Sequence, residues 1–189
     1  MEKVRSFIAI EIPASLRARM DEILRTLKQT EGDVKWVRPE GIHLTLKFLG
    51  PVSEETLEKV AQAVQPVVAA RDAFDLKVQG LGCFPSSRNP RVVWVGIEQG
   101  KGEAAALQKL IEEKTADLGF PPESRPFSPH LTLGRVRSPR GRVSLVEAIE
   151  KNKGFEVGGF RPSEVFLFRS DLKPSGAVYT KLKNFPMKG

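Results

Sequence analysis

The chain has 189 residues, a net charge of +7 and a single cysteine, Cys83. This length suits one domain or two small lobes that share a core. No apolar run approaches the roughly 20 residues of a membrane helix, and the first residues do not form a signal peptide, so we expect no membrane association and a cytoplasmic location. One cysteine excludes an internal disulfide. The positive charge favours anionic partners, of which nucleic acid is the commonest.

Strands and helices alternate along the whole chain. β-rich apolar segments bounded by proline, glycine and polar residues predict strands at 7–12, 35–37, 42–49, 74–78, 92–97, 130–136, 155–157, 165–168 and 178–182. Apolar residues at helical spacing predict helices at 14–30, 54–68, 103–118 and 144–151. Ser53 is a good N-cap for the second of these helices. A loop rich in glycine, proline and serine is predicted at 80–90.

Short strands in consecutive pairs, interrupted by helices, favour an α+β fold with antiparallel pairing. The order of elements repeats in broad outline in the two halves of the chain. We therefore predict one bilobal domain over residues 1–189 that arose by internal duplication. Its two pseudo-symmetric lobes would each hold an antiparallel sheet and helices, with a cleft between them.

Both histidines of the chain, His43 and His130, open the same tetrapeptide, His-Leu-Thr-Leu, at residues 43–46 and 130–133. The two copies are offset by 87 residues (130 − 43), and an Arg-Pro pair lies five residues upstream of each histidine. Histidine has an unperturbed pKa of about 6.5, so it can give or take a proton near neutrality. Two histidines in matched settings are what a general acid and a general base require.

Strand alternation assigns the side chains of each tetrapeptide to two faces. The leucines would anchor their strand to the core, while His43, Thr45, His130 and Thr132 would face the cleft. The threonine hydroxyls could bind the non-bridging oxygens of a phosphate, where charge accumulates during an in-line attack at phosphorus. One imidazole would take a proton from the nucleophile and the other would protonate the leaving oxygen. This scheme needs no metal, and the near-symmetry leaves open which histidine plays which role.

With these motifs, the chain resembles the 2H phosphoesterase superfamily. The closest resemblance is to its bacterial and archaeal RNA 2′,3′-cyclic phosphodiesterases, also called 2′-5′ RNA ligases. The resemblance covers nearly the whole chain and includes the segments 5–10, 36–39 and 127–135 around the motifs. It implies that His43 is the proton donor and His130 the proton acceptor. Water would open a terminal cyclic phosphate, O3′ would leave, and a 2′-phosphomonoester would remain.

Three further residues are candidates for substrate contacts. Arg135 lies five residues after His130 and suits a phosphate, while Phe48 holds the equivalent place after His43 and could stack on a base. Strict alternation puts both on the face opposite their histidine, so a bulge or twist would be needed to turn them in. Lys47 has the same parity as His43 and is predicted to line the cleft or its rim. Ser170 and Tyr179, on the last strands, are weaker candidates.

Two basic loops, at 86–91 and 135–142, could guide an RNA strand, although turn chemistry alone also accounts for their serine, asparagine and proline content. The sequence holds no ATP-binding glycine loop and no metal-ligand motif, so we expect no cofactor and no metal. The expected substrates are RNA ends or cyclic nucleotides, and no obligate protein partner is evident. Two alternatives stay open: 2′-5′ RNA ligation, which is the reverse reaction, and a non-catalytic RNA-binding protein.

Overall fold

A computed structural model describes residues 3–189 of the chain. These residues form four α-helices and nine β-strands. The helices are α1 (Ala14–Lys28), α2 (Glu54–Ala69), α3 (Lys101–Ala116) and α4 (Arg142–Lys151). The strands are β1 (Lys3–Glu11), β2 (Val34–Trp36), β3 (His43–Ser53), β4 (Leu76–Phe84), β5 (Val92–Gln99), β6 (His130–Val136), β7 (Glu156–Phe160), β8 (Glu164–Lys173) and β9 (Gly176–Pro186). No helix within the described range is both long and apolar enough to cross a membrane.

The nine strands form one sheet in the order β7-β4-β5-β6-β3-β1-β8-β9, and the short β2 pairs with β6. All the named strand pairs are antiparallel. The predicted α+β class with antiparallel pairing is confirmed, but the two predicted sheets are halves of one continuous sheet. The motif strands β3 and β6 are neighbours at its centre, and each is followed outward by three further strands. This matched order is what a duplication would produce, and the duplication itself stays a prediction.

The helices cover one face of the sheet. Helices α2 and α3 contact β3, and α2 also contacts β8 and β9, while α1 contacts β7 and α4 contacts β4. The motif leucines Leu44, Leu46, Leu131 and Leu133 are buried in the large apolar core on this side. A second, small cluster on the other side of the sheet holds Phe7, Ala9, Phe166 and Phe168, packed against Tyr179. We call this second, helix-free side the open face.

The helices begin and end within two residues of their predicted bounds, whereas β1, β3, β4, β8 and β9 each extend at least four residues beyond theirs. As predicted, Ser53 caps α2, since its hydroxyl accepts a hydrogen bond from the amide of Thr56 at 3.3 Å. The predicted loop at 80–90 is shorter than expected, because β4 continues to Phe84 and pairs with β5. Gly80 makes this possible: its φ of +91° lies at the register shift between Val78 and Leu81, beyond which pairing resumes.

Candidate active site

The four motif side chains predicted to face the cleft lie together on the open face. Strands β3 and β6 are paired at Leu44 and Leu131, which point to the core. Extending this antiparallel register by one residue in each direction places His43 opposite Thr132. The same extension places His130 opposite Thr45. Directly opposed residues have Cβ atoms about 4.5–5.5 Å apart, so the two histidine–threonine pairs share one patch of the sheet.

Strand β3 has a β-bulge directly after its motif. Pairing with β1 skips one residue between Thr45 and Lys47. Leu46 and Lys47 are both buried, each 3% exposed, so two successive side chains point to the helix side. The bulge turns Phe48 back onto the open face, where it is 54% exposed and its ring centre lies 6.2 Å from that of Phe7. Phe48 therefore lies on the histidine face, through the bulge that the alternation pattern required.

Strand β6 carries the same irregularity at the equivalent position. Pairing with β5 skips Leu133, between Thr132 and Gly134. Leu133 and Gly134 are both buried, and Arg135 is exposed after them. The charge of Arg135 is close enough to His130 to act on it electrostatically. The bulge is thus repeated together with the motif, and it brings Arg135 to the histidine face.

Lys47 does not line the cleft, and this prediction is wrong. Its ammonium group lies on the helix side, 3.0 Å from Oε1 of Glu112 and 2.7 Å from the carbonyl oxygen of Pro121. The physical reason is the bulge, which reverses the parity of the residues that directly follow Leu46, until a second register shift at Leu49 restores it. Lys47 is therefore a buried structural cation that links β3 to α3 and to the segment preceding His130.

His43 is enclosed by aromatic rings. It stacks on Phe7 with ring centres 4.5 Å apart and an interplanar angle of 22°, and the ring of Tyr179 meets it edge-on at 5.1 Å. Burial lowers the pKa of His43 to about 4, and a backbone hydrogen bond with Gly41 acts weakly in the opposite direction. In the ligand-free protein this imidazole is therefore neutral at pH 7.

His130 is oriented by the backbone two residues upstream, as His43 is. Its Nδ1 lies 2.7 Å from the carbonyl oxygen of Ser128. A carbonyl only accepts hydrogen bonds, so Nδ1 carries the hydrogen and Nε2 of the neutral ring keeps its lone pair. Burial lowers the pKa of His130, the Ser128 carbonyl acts to raise it, and the charge of Arg135 lowers it further. The ring of Phe84 meets His130 edge-on, with centres 5.0 Å apart.

Aromatic residues around the histidines are what the sequence analysis largely missed. Phe7 and Phe168 come from β1 and β8, far from either motif in sequence, and their ring centres lie 5.2 Å apart. Tyr179, a weak candidate from the sequence, does reach His43. Burial raises the pKa of Tyr179, against the smaller opposing effects of Arg135 and Arg5, so its phenol is protonated near neutrality.

Trp94 lies on the open face of β5 rather than in the core beneath the helices. It is register-paired with Thr132, and its ring packs against Phe84 with centres 5.0 Å apart. The indole covers Gly82, where an added Cβ would lie only 2.4 Å from a ring atom. Its Nε1 is buried without a hydrogen-bond partner among the described residues. The sequence alone gave no sign that Gly82 leaves space for the indole of Trp94.

Comparison with known families agrees with this geometry. Residues 11–174 match the family model of the 2′-5′ RNA ligase superfamily. The chain belongs to this superfamily. An RNA 2′,3′-cyclic phosphodiesterase of Methanothermobacter thermautotrophicus is 40% identical over 183 residues, covering 97% of this chain and 98% of the relative. One from Aquifex aeolicus is 31% identical over 194 residues and covers all of both chains. The resemblance to the superfamily is confirmed.

Solved structures of superfamily members have the same fold. The crystal structure of TT0787 from Thermus thermophilus matches with a TM-score of 0.82 and 29% identity, covering 98% of each chain. Escherichia coli LigT in complex with 3′-AMP matches with a TM-score of 0.79 and 27% identity, covering 100% of each chain. These comparisons establish the family and its fold, while the roles of individual residues in this chain have to be argued from its own geometry.

Proposed function

We propose that this chain is an RNA 2′,3′-cyclic phosphodiesterase, which opens a terminal cyclic phosphate and leaves a 2′-phosphomonoester without a metal. The observation that carries this proposal is the pair of histidine–threonine sets brought face to face by the β3–β6 register. Its relatives of 31–40% identity carry the same activity in their names. Escherichia coli LigT, with a closely similar fold, is known in complex with 3′-AMP.

His130 is suited to activate water. Its hydrogen is held on Nδ1 by the Ser128 carbonyl, so the lone pair on Nε2 is available on the other side of the ring. In the proposed reaction Nε2 takes a proton from water, whose oxygen forms a bond to phosphorus. The bond from phosphorus to O3′ breaks, and the imidazole of His43 gives its proton to O3′. The hydroxyls of Thr45 and Thr132 donate to the non-bridging oxygens during this step.

His43 has to be protonated to act as the donor, although its pKa in the empty site is about 4. A bound cyclic phosphodiester carries one negative charge. An anion placed beside a desolvated imidazole favours the imidazolium form and raises its pKa. Substrate binding therefore favours protonation of His43, and the aromatic rings around His43 exclude the water that would otherwise take the proton.

Two residues on the open face are proposed as substrate contacts. Arg135, brought in by the second bulge, would bind phosphate oxygens through its guanidinium fork. Phe48, exposed and adjacent to Phe7, would stack on the base of the terminal nucleotide. RNA ends and cyclic nucleotides are the proposed substrates. A cytoplasmic location, the absence of a cofactor and the absence of an obligate protein partner stay predictions.

The deciding experiment uses an RNA oligonucleotide that ends in a 2′,3′-cyclic phosphate, incubated with purified protein in excess EDTA. We expect full conversion to a 2′-phosphate end, identified by its resistance to an enzyme that removes only 3′-phosphates. A 3′-phosphate product, or activity that EDTA abolishes and a divalent metal restores, would contradict the proposal.

Two variants separate catalysis from the alternatives. His43→Ala and His130→Ala should each lower kcat/KM by orders of magnitude, since each proton transfer typically contributes about 10²–10⁴-fold. RNA affinity that survives both changes, with no turnover in the unaltered protein, would instead identify a non-catalytic RNA-binding protein. Net joining of 5′-hydroxyl ends to cyclic phosphate ends, faster than hydrolysis, would identify a ligase.

A further inference from the structure

Two basic loops lie against each other at the far end of the motif strand β6. One loop joins β4 to β5, and the other joins β6 to α4. They are held together by the guanidinium group of Arg142, which donates to the carbonyl oxygen of Arg88 at 2.9 Å, and by the amide of Val136, which donates to the carbonyl oxygen of Arg91 at 2.9 Å. The two loops therefore form a single surface.

This surface carries five exposed arginines, which we call the arginine platform: Arg88, Arg91, Arg137, Arg140 and Arg142. Two acidic residues lie beside it: Asp33 pairs with Arg137 at 3.0 Å and is also acted on by the charge of Arg140, and Glu31 has its backbone against Gly141. Within residues 3–189, the other four arginine side chains make no ion pair shorter than 4.0 Å. The platform therefore holds an excess of positive charge that the folded protein does not neutralise.

A hollow of about 230 Å³ opens between the two loops. Its walls include the side chains of Arg91, Arg137 and Arg142, together with the polar residues Asn89 and Ser138. A water molecule in the liquid occupies about 30 Å³, so the hollow has room for a phosphate group with its remaining hydration. Guanidinium groups suit phosphate because their planar forks match two of its oxygens at once.

The platform lies along the direction in which β6 leaves the active site. Val136 is six residues beyond His130 on this strand, which corresponds to about 20 Å at about 3.3 Å per residue. Arg135 lies on the open face between the two points. Positive charge therefore extends from the histidine pairs through Arg135 to the platform. A single nucleotide is too short to contact the histidines and the platform at the same time.

We infer that the arginine platform binds backbone phosphates of the RNA strand upstream of the terminal cyclic phosphate. This inference rests on the proposed function and deepens it: the substrate is an RNA strand several nucleotides long, rather than a free cyclic nucleotide. Several arginines spread over two loops suit a series of phosphates better than one isolated anion. The strand would cross Arg135 on its way from the platform to the histidines.

The test compares a 2′,3′-cyclic mononucleotide with oligoribonucleotides of increasing length that end in the same cyclic phosphate. For the unaltered protein, the ratio of kcat/KM for oligonucleotide over mononucleotide should rise with length and then level off once the strand reaches the platform. In the double variant Arg91→Gln/Arg140→Gln this ratio should fall at least several-fold. The matched control is Lys59→Gln/Lys109→Gln, which removes two exposed charges from helices on the other side of the sheet and should leave the ratio unaltered.

Salt dependence gives an independent measurement. Each phosphate contact to a single strand contributes about 0.7 to the slope of log K against log salt concentration. The double variant should therefore lose about 1.4 from the slope for a long RNA, while the control should lose none. The inference would be overturned if the platform variant and the control changed the kcat/KM ratio and the salt slope by equal amounts.

Failure of the proposed function would give a different result. If the unaltered protein opened none of these cyclic phosphates, the proposed activity would be wrong. Binding of a fluorescent oligoribonucleotide with a terminal 2′-phosphate would then still report on the platform through the same two double variants. Loss of affinity in the platform variant alone would support the platform, and equal affinities would refute it.

Discussion

The substitution Lys47→Met should destabilise the fold strongly, because Lys47 is a buried cation with two partners. Its side chain is 2% exposed, and its ammonium lies 3.0 Å from Glu112 and 2.7 Å from the carbonyl oxygen of Pro121. Removing one partner of a buried pair costs about 3–5 kcal/mol, because the other charge is left uncompensated. Glu112 keeps a hydrogen bond from the amide of Glu123 and is 13% exposed, so we expect the low end, about 3 kcal/mol.

Thermal and urea unfolding measure this loss. For a chain of this size about 3 kcal/mol corresponds to a fall in Tm of about 6–12 °C. The control is Lys59→Met, which breaks a pair with Glu55 that is exposed to solvent and should therefore leave the stability almost unaltered. The double variant Lys47→Met/Glu112→Leu should regain most of the lost stability, since it removes both charges. Equal losses for Lys47→Met and Lys59→Met would refute the reasoning.

The stability lost in Lys47→Met should depend on pH through the ionisation of Glu112. Burial acts to raise the pKa of Glu112, but the amide of Glu123 and the ammonium of Lys47 outweigh it and hold this pKa below its usual value. The stabilisation is therefore present above about pH 4.5 and is lost as pH falls through the lowered pKa. In Lys47→Met, burial without the ammonium should raise the pKa of Glu112. The stability difference between the two proteins should thus be largest near neutrality and shrink in acid; a difference that grows in acid would contradict this account.

The position of Lys47 also gives this lysine a structural role toward the second motif. Its equivalent after the second motif is Gly134, which pairs with Trp36 of β2. The segment equivalent to β2 contains Pro121 and Pro122, which lack the N–H groups of a strand. The Lys47 ammonium therefore holds this segment by its carbonyl instead. Because the segment leads to His130, Lys47→Met should lower kcat as well as stability, at temperatures where the variant remains folded, and Lys47→Arg should restore part of both.

Three further predictions concern catalysis. Because the pKa values of both His43 and His130 are lowered, the bell-shaped pH profile of kcat/KM should have its optimum below pH 6.5. The optimum of the kcat profile should lie at higher pH, because the bound anion favours the imidazolium form. A kcat/KM optimum above about pH 7 would contradict this prediction. Gly82→Ala should displace Trp94, because the added Cβ would lie 2.4 Å from its ring, and should therefore alter indole fluorescence and lower kcat/KM. The control is Gly154→Ala, whose added Cβ would have no atom within 4 Å and should change neither quantity. On a nitrophenyl phosphodiester, whose leaving group needs no proton, His43→Ala should recover much of its activity and His130→Ala should not; the opposite pattern would reverse their roles.

The motif geometry was predictable because it depends on residues adjacent in sequence. Within a strand the side chains alternate, so a histidine and a threonine two residues apart must share a face, and the leucines between them must take the other. Alternation alone could not predict on which face of the sheet the side chains after Leu46 lie. For this reason Lys47 was assigned to the wrong face. A signal was nevertheless present: core leucines occupy 44 and 46, and the next one is Leu49, so the apolar parity changes between them.

The aromatic surroundings of His43 were beyond prediction from sequence, because they depend on which strands become neighbours. Phe7 reaches the histidine through the β1–β3 pairing, and Tyr179 reaches it from β9, which is separated from β3 by two strands. Tyr179 was a weak candidate from its place on the last strands, but no local pattern around Phe7 or Tyr179 indicates that either ring contacts His43. Their effect on the pKa of His43 could be recognised only from the assembled sheet.

The two histidines occupy the same sequence motif, but only His130 has an arginine charge acting on it, and this part of the difference agrees with the proposed roles in the substrate-bound site. Arg135 acts on His130 and lowers its pKa in addition to burial, whereas the equivalent residue near His43 is the uncharged Phe48. A base must be neutral before it can accept a proton, so a neighbouring cation suits His130 to that role. The acid must hold a proton, and the absence of a cation at position 48 leaves His43 free to gain one when the phosphate anion binds.

This reasoning predicts that Arg135→Gln raises the pKa of His130, because a positive charge that disfavours imidazolium is removed. Because the pKa of His43 is lowered further, to about 4, His43 sets the acidic limb of the kcat/KM profile and the titration of His130 sets the basic limb, which should move to higher pH. Titration of the His130 ring protons by NMR measures the pKa directly. Lys35→Gln is the matched control: Lys35 pairs with Arg135 in the sheet register, and its replacement removes the same charge, but Lys35 does not contribute to the pKa of His130. A fall in the pKa of His130 in Arg135→Gln, or an equal rise in both variants, would show that Arg135 does not set the protonation of the proposed base.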